Sequence, residues 1–132
     1  MALDIDPVHD FGNFNHIEND SLALATGKFV VVSATGDVSV NTVAGSKSFG
    51  VLRRGVSAGF VPPVRRAGGM AYVSKAAAYA PAIGDAVTND VAGDAVLAVT
   101  GNVIQGVVVD VTSGADNEVR VLLSNGAETA PA

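Results

Sequence analysis

The chain has 132 residues, no cysteine, no tryptophan and a formal net charge of −5. That length suits one compact domain or two very small halves, and the lack of thiols excludes disulfides, thiolate nucleophiles and cysteine-ligated zinc. Apolar residues make up 48% and aromatic ones only 5%, with 23 valines against 7 leucines and 4 isoleucines. Valine is stiff at χ1 and fits a pleated strand better than a helix, so with glycine supplying turns an all-β fold is expected.

Residues 1–20 hold five acids (Asp4, Asp6, Asp10, Glu18, Asp20) and no lysine or arginine. Their apolar side chains are scattered, and alone they bury too little to offset the entropy of ordering. Two of the five phenylalanines, Phe11 and Phe14, nevertheless fall here, with Ile17 close by. This pattern fits an extended N-terminal arm that docks on a neighbour; a first strand with a frayed end is the competing possibility. The segment has no apolar core of the kind a signal peptide needs, and no run in the chain approaches the ~18 apolar residues of a membrane span. Synthesis in the cytoplasm and a soluble product are expected.

From residue 21 onward strands alternate with turns. KFVVVS (28–33) is a β-branched run, Gly36-Asp37 marks a turn, and VSVNTV (38–43) alternates apolar with polar residues, the period of a half-buried strand. SFGVLR (48–53) follows. GFVPPVRR (59–66) contains two prolines and is confined to an edge or a loop. GMAYVS (69–74) reads as a strand, and KAAAYAPA (75–82) as a single helical turn ended by Pro81. DAVTND (85–90), AVLAVT (95–100), VIQGVVVDV (103–111) and EVRVLLS (118–124) complete the strands, and residues 125–132 read as a flexible C-terminal tail.

These pieces repeat. Gly27 and Gly84 are 57 residues apart, as are Gly36-Asp37 and Gly93-Asp94. Gly50-Val51 precedes Gly106-Val107 by 56, and Val64-Arg65 precedes Val119-Arg120 by 55. The drift suggests loop-length changes between two copies of one element. Neither copy of about 50 residues closes a core alone, so residues 21–124 are expected to form one small β-barrel or sandwich from two similar halves.

The duplicated pattern resembles the decoration, or cement, proteins of tailed-phage capsids. The residues that carry it are Ile83-Gly84-Asp85-Ala86-Val87, Gly93-Asp94, Ile104-Gln105-Gly106-Val107 and Val119-Arg120-Val121-Leu122-Leu123. The upstream copy, Thr26-Gly27-Lys28-Phe29-Val30, has lysine where that family usually has aspartate. The resemblance implies a small β-domain, commonly a homotrimer, that sits on the outer surface of the virion and bridges neighbouring subunits of the major capsid protein, without catalysis.

Other chemistry finds little purchase. Asp85, Asn89, Asp90 and Asp94 lack the spacing of a calcium loop, which needs oxygens converging in one turn. His9 and His16 have no carboxylates at ligand spacing. Gly27-Lys28 is followed by Phe29 and a strand, not by the helix a phosphate loop requires, and there is no nucleophile elbow. No metal, cofactor or enzyme activity is therefore expected. Residues 45–75 carry six bases and no acid, but few aromatics stand near for base stacking, and nucleic acid is not the expected partner. Arg53, Arg54, Arg65 and Arg66 instead suit pairing with carboxylates of another protein, as Phe11, Phe14 and Ile17 suit apolar contact. A small β-barrel module that recognises a glycan or peptide is the alternative function.

Overall fold

The computed structural model describes residues 26–55, 63–111 and 117–131. Nine strands form two antiparallel sheets, and the described residues contain no helix. Sheet one comprises β1 (Phe29–Val32), β2 (Val38–Val40), β3 (Gly50–Leu52) and β4 (Val64–Arg65), in the order β2-β1-β3-β4. Sheet two comprises β5 (Met70–Ser74), β6 (Ala86–Asn89), β7 (Ala95–Leu97), β8 (Gly106–Asp110) and β9 (Glu118–Leu123), in the order β5-β9-β8-β6-β7. The fold is sandwich-like. A parallel bridge from Lys75 to Ala95 ties the end of β5 to β7, drawing the two edges of sheet two together at one point without closing a barrel.

The duplication is carried by the backbone. The β1–β2 pairs Val30↔Val40, Val31↔Ser39 and Val32↔Val38 recur in β6–β7 as Val87↔Leu97, Thr88↔Val96 and Asn89↔Ala95. Phe29↔Val51 and Val30↔Gly50 recur as Ala86↔Val107 and Val87↔Gly106. The order β2-β1-β3-β4 is therefore repeated as β7-β6-β8-β9, and β5 is an addition at the β9 edge. Bonds outside the ladders repeat as well. Gly27 N donates to Leu52 O as Gly84 N donates to Val108 O, both at 2.8 Å. Phe49 N donates to Val30 O as Gln105 N donates to Val87 O, again both at 2.8 Å.

The last sequence correspondence needs correction. Val51↔Arg65 and Leu52↔Val64 match Val107↔Leu122 and Val108↔Val121, so Val64-Arg65 is equivalent to Val121-Leu122, not to Val119-Arg120. A slip of two residues leaves every side chain on its original face, and an alternating apolar pattern cannot reveal it. Two glycines fix the register independently. A Cβ on Gly50 would strike Val64 Cγ1 at 2.7 Å as well as Arg65 O, and one on Gly106 would strike Leu122 O at 2.7 Å as well as Val121 Cγ1. Both copies need a bare backbone at the same crossing.

The main core gathers Val73, Val87, Ala95, Val108, Val119, Val121 and Leu123 from sheet two with Phe29 and Val51 from sheet one. A smaller cluster, Val30, Val38, Leu52 and Val64, lies on the other face of sheet one. The two halves thus meet through unlike faces. Phe29 and Val51 are the equivalents of Ala86 and Val107, whereas their partners Val87, Val108 and Val121 are the equivalents of Val30, Leu52 and Val64.

Two further sequence expectations change. Residues 75–82 form no helix; Tyr79 N donates to Ala76 O at 3.0 Å in a single turn. Residues 125–131 are not a loose tail. They run back along residues 100–104, with an antiparallel bridge Val103↔Thr129 and bonds from Ile104 N to Glu128 O at 2.9 Å and Ala130 N to Asn102 O at 2.8 Å. β4 stands at the edge of sheet one, where its neighbouring prolines place it.

Candidate interaction surfaces

The aspartates of the second half are occupied by turn chemistry. Asp90 Oδ1 accepts from Ala92 N and Asp94 N, both at 2.9 Å, inside the β6–β7 hairpin. At the equivalent place in the β1–β2 hairpin Ser33 Oγ accepts from Thr35 N at 3.3 Å and Asp37 N at 3.2 Å. Gly36 and Gly93 adopt φ of 89° and 81° in these loops, the left-handed residue that a three-residue hairpin loop requires. Asp94 forms an ion pair with Lys28 at 2.7 Å, which ties the start of β1 to the opposite half. Asp85 sits in another turn, where Oδ2 accepts from Tyr79 OH at 2.7 Å and Ala82 N at 2.9 Å. Burial first, then this hydrogen bond and the carboxylate charge, push the Tyr79 hydroxyl well above the ordinary tyrosine range. Among the described residues no three His, Asp or Glu side chains gather where they could hold a metal ion.

A polar network that sequence reasoning missed joins the halves. Asn89 Nδ2 donates to Val43 O at 3.0 Å and Asp90 O at 3.1 Å, and its Oδ1 accepts from Gln105 Nε2 at 3.1 Å. Gln105 Nε2 also donates to Ser46 O, and Gln105 Oε1 accepts from Ser48 N at 3.2 Å. Asn41 holds the same loop from the other side, through Val43 N at 3.0 Å and Ser48 Oγ at 2.8 Å. The available signal was the repeat itself: the equivalents of Asn89 and Gln105 are Val32 and Phe49, so two positions that are apolar and partly buried in one copy carry buried amides in the other.

The basic residues do not converge on one point. Arg53 and Arg54 follow the end of β3, and Arg53 N donates to Pro63 O at 2.8 Å. Antiparallel pairing puts Arg65 opposite Val51 and sends Arg66 to the other end of the ladder. The Arg66 guanidinium lies 4.3 Å from the centroid of the Phe49 ring, a cation–π contact. Arg53, Arg54 and Arg66 are exposed and Arg65 is half-buried. Phe11, Phe14 and Ile17 lie outside the described residues, as do His9 and His16.

The outer face of sheet two is also exposed among the described residues. Met70 pairs with Leu122 and Leu122 with Val107, giving a continuous apolar row across β5, β9 and β8. These residues are 48%, 44% and 38% exposed. In the next row Tyr72, also exposed, stands opposite Arg120, whose guanidinium lies 5.7 Å from the ring centroid.

Compared with known proteins, the chain matches no family model, no curated protein and no solved structure.

Proposed function

We propose that this protein is a structural capsid-decoration protein that binds the assembled shell of a tailed phage and stabilises it by bridging neighbouring capsid subunits. The observation that carries this proposal is the strand-for-strand duplication. The residues on which the resemblance rests, Gly84, Asp85, Gly93, Asp94, Gly106 and Val107, occupy the turns and ladder positions that Gly27, Lys28, Gly36, Asp37, Gly50 and Val51 occupy in the other half. Work of this kind is adhesion: a ligand that binds only the assembled state shifts assembly toward it by mass action, and linked copies gain avidity through effective concentration. The exposed Arg53, Arg54 and Arg66 offer guanidinium groups to carboxylates of a capsid subunit.

The test is co-sedimentation of the full chain with empty shells assembled from a tailed-phage major capsid protein, with unassembled capsid protein as the comparison. Saturable binding to shells alone is expected, weakened by Arg53→Glu with Arg54→Glu, and light scattering of the free protein is expected to give three times the chain mass. Absence of shell binding at any salt concentration overturns the proposal, and a specific glycan or peptide ligand would replace it with the binding-module alternative.

A further inference from the structure

The described asparagines are not held alike. Asn41, Asn89 and Asn102 commit their carboxamides to the backbone of neighbouring loops, and each is followed by a residue with a side chain, Thr42, Asp90 and Val103. Gln105 precedes a glycine but is buried and bonded through both atoms of its amide. Asn125 is exposed and is followed by Gly126, the chain's single Asn-Gly step. It lies in the turn between two paired segments: β9 ends at Leu123, and pairing resumes at Glu128. The Gly126 nitrogen makes no ladder bond; its acceptor among the described residues is Ser124 Oγ at 3.4 Å, a distance at which it is weakly held. Asn125 Oδ1 accepts from Ala127 N at 3.0 Å. That bond folds the carboxamide back along the Gly126 peptide and polarises its carbonyl. The turn itself demands the glycine, because φ is 72° and a Cβ would press on Lys47 Cγ at 3.1 Å.

We propose that Asn125 is a self-modifying site, and that its conversion to isoaspartate releases the segment that follows it. The Gly126 nitrogen attacks Asn125 Cγ. A Cγ–N bond forms, the Cγ–Nδ2 bond breaks, and ammonia leaves carrying the Gly126 amide proton. The Ala127 N–H already meets the oxygen that takes the negative charge of the tetrahedral intermediate. Water then opens the succinimide, supplying the carboxyl oxygen and restoring the Gly126 N–H. Attack at Cγ gives aspartate. Attack at the main-chain carbonyl gives isoaspartate, whose main chain runs through Cβ and is longer by one methylene. That methylene falls where the chain has no slack. Ile104 closes the turn from both sides: its carbonyl accepts from Ser124 Oγ at 2.7 Å, and its N–H donates to Glu128 O at 2.9 Å. Ser124 N also donates to Gln105 O at 2.9 Å, which fixes the near end against sheet two. The far end is mostly exposed and rests on a few backbone bonds, among them Gly101 N to Ala130 O at 3.1 Å and Ala130 N to Asn102 O at 2.8 Å. A longer turn carries Glu128 and Ala130 out of step with these partners, so the far end lets go while β9 stays paired. This chemistry is independent of what the protein binds.

The test is to age the full chain at mildly alkaline pH and then cut it after Arg120. The released peptide, residues 121–132, holds Asn125 as its only side-chain amide. It is expected to become a mixture of aspartyl and isoaspartyl forms, resolved by chromatography and mass, at least about tenfold faster than Asn41, Asn89 or Asn102 converts, because its reacting groups are already adjacent and unhindered. Asn125→Gln is expected to stay unmodified. In the intact isoaspartyl protein, the amides of Gly101, Ile104 and Ala130 are expected to exchange with solvent at least about tenfold faster than in Asn125→Asp, which carries the charge without the methylene, while the amides of β8 and β9 stay protected. Conversion of Asn125 no faster than that of the other three asparagines overturns the proposal. So does an isoaspartyl protein whose Gly101, Ile104 and Ala130 amides exchange as they do in Asn125→Asp.

Discussion

The two halves share a backbone and differ in what their faces meet. Sheet one is buried on both sides: Phe29 and Val51 face the main core, and Val30, Leu52 and Val64 form the second cluster. The matching strands of sheet two bury Val87, Val108 and Val121 but leave Val107 and Leu122 in solvent. What the copies keep is what the chain path demands: left-handed glycines in the hairpins, bare glycines where strands cross closely, and the ladder register. What they change is what each face touches. Repeats of this kind diverge where their surroundings differ, and the divergent positions point to function or to cohesion between the copies.

The comparison breaks most visibly at Val51 and Val107, equivalent residues that are 0% and 38% exposed. Val51→Asp buries an unpaired carboxylate and is expected to cost more than about 4 kcal/mol, unfolding the chain. Val107→Asp is expected to cost about 1 kcal/mol or less. Urea denaturation of both variants reads the difference. Replacing Asn89 by the residue its sister position holds, Asn89→Val, takes the donor from two carbonyls and the acceptor from Gln105, with an expected loss of about 2–3 kcal/mol. A neutral result would show that the network does not join the halves.

Gly50→Ala and Gly106→Ala sharpen the likeness. Each Cβ would collide with the neighbouring strand, and a matched loss of about 2 kcal/mol is expected for both; a large inequality would mean that the two crossings are not equivalent. In the hairpins, Asp90→Ala removes two bonds to a carboxylate and is expected to cost about 1–1.5 kcal/mol, against about 0.5 kcal/mol for Ser33→Ala.

The smallest effect is on pH dependence. The Tyr79 hydroxyl is raised above its unfolded value of 10.0. Below that value the phenol is neutral in both states. Above it the unfolded chain ionises first, so stability falls as pH climbs from 10 toward the folded value. Tyr79→Phe is expected to flatten that part of the curve relative to the unaltered chain.

Much of this architecture was readable from the residues. The 57-residue echo of Gly36-Asp37 in Gly93-Asp94 revealed the duplication because left-handed turn positions tolerate few alternatives to glycine. Prolines kept β4 at an edge. Three things were not readable, each for a physical reason. The β4–β9 correspondence slipped by two residues because alternation is blind to such a shift. The C-terminal segment 125–131 pairs through the backbone of Glu128 and Ala130, which composition does not report. Which face of sheet two would be left open could not be known, because both faces are built from the same valines and leucines. The arginine pairs were visible as sequence, but only the antiparallel ladder shows that they are carried to different ends.

The contact between unlike faces has a consequence for growth. Had these halves been separate chains, each would offer one side to the next copy and present the other to a third, and nothing in such head-to-tail contact closes the series. Short filaments would be the natural product. Joining two copies in one polypeptide leaves just two terminal faces to manage. On sheet one the terminal side is already buried, as Val30, Leu52 and Val64 show. On sheet two Arg120 stands in the row beside the apolar one, a charge that an incoming hydrophobic sheet would have to desolvate. The molecule is in this sense a polymer stopped at two units, and Arg120→Leu is the substitution expected to let it resume.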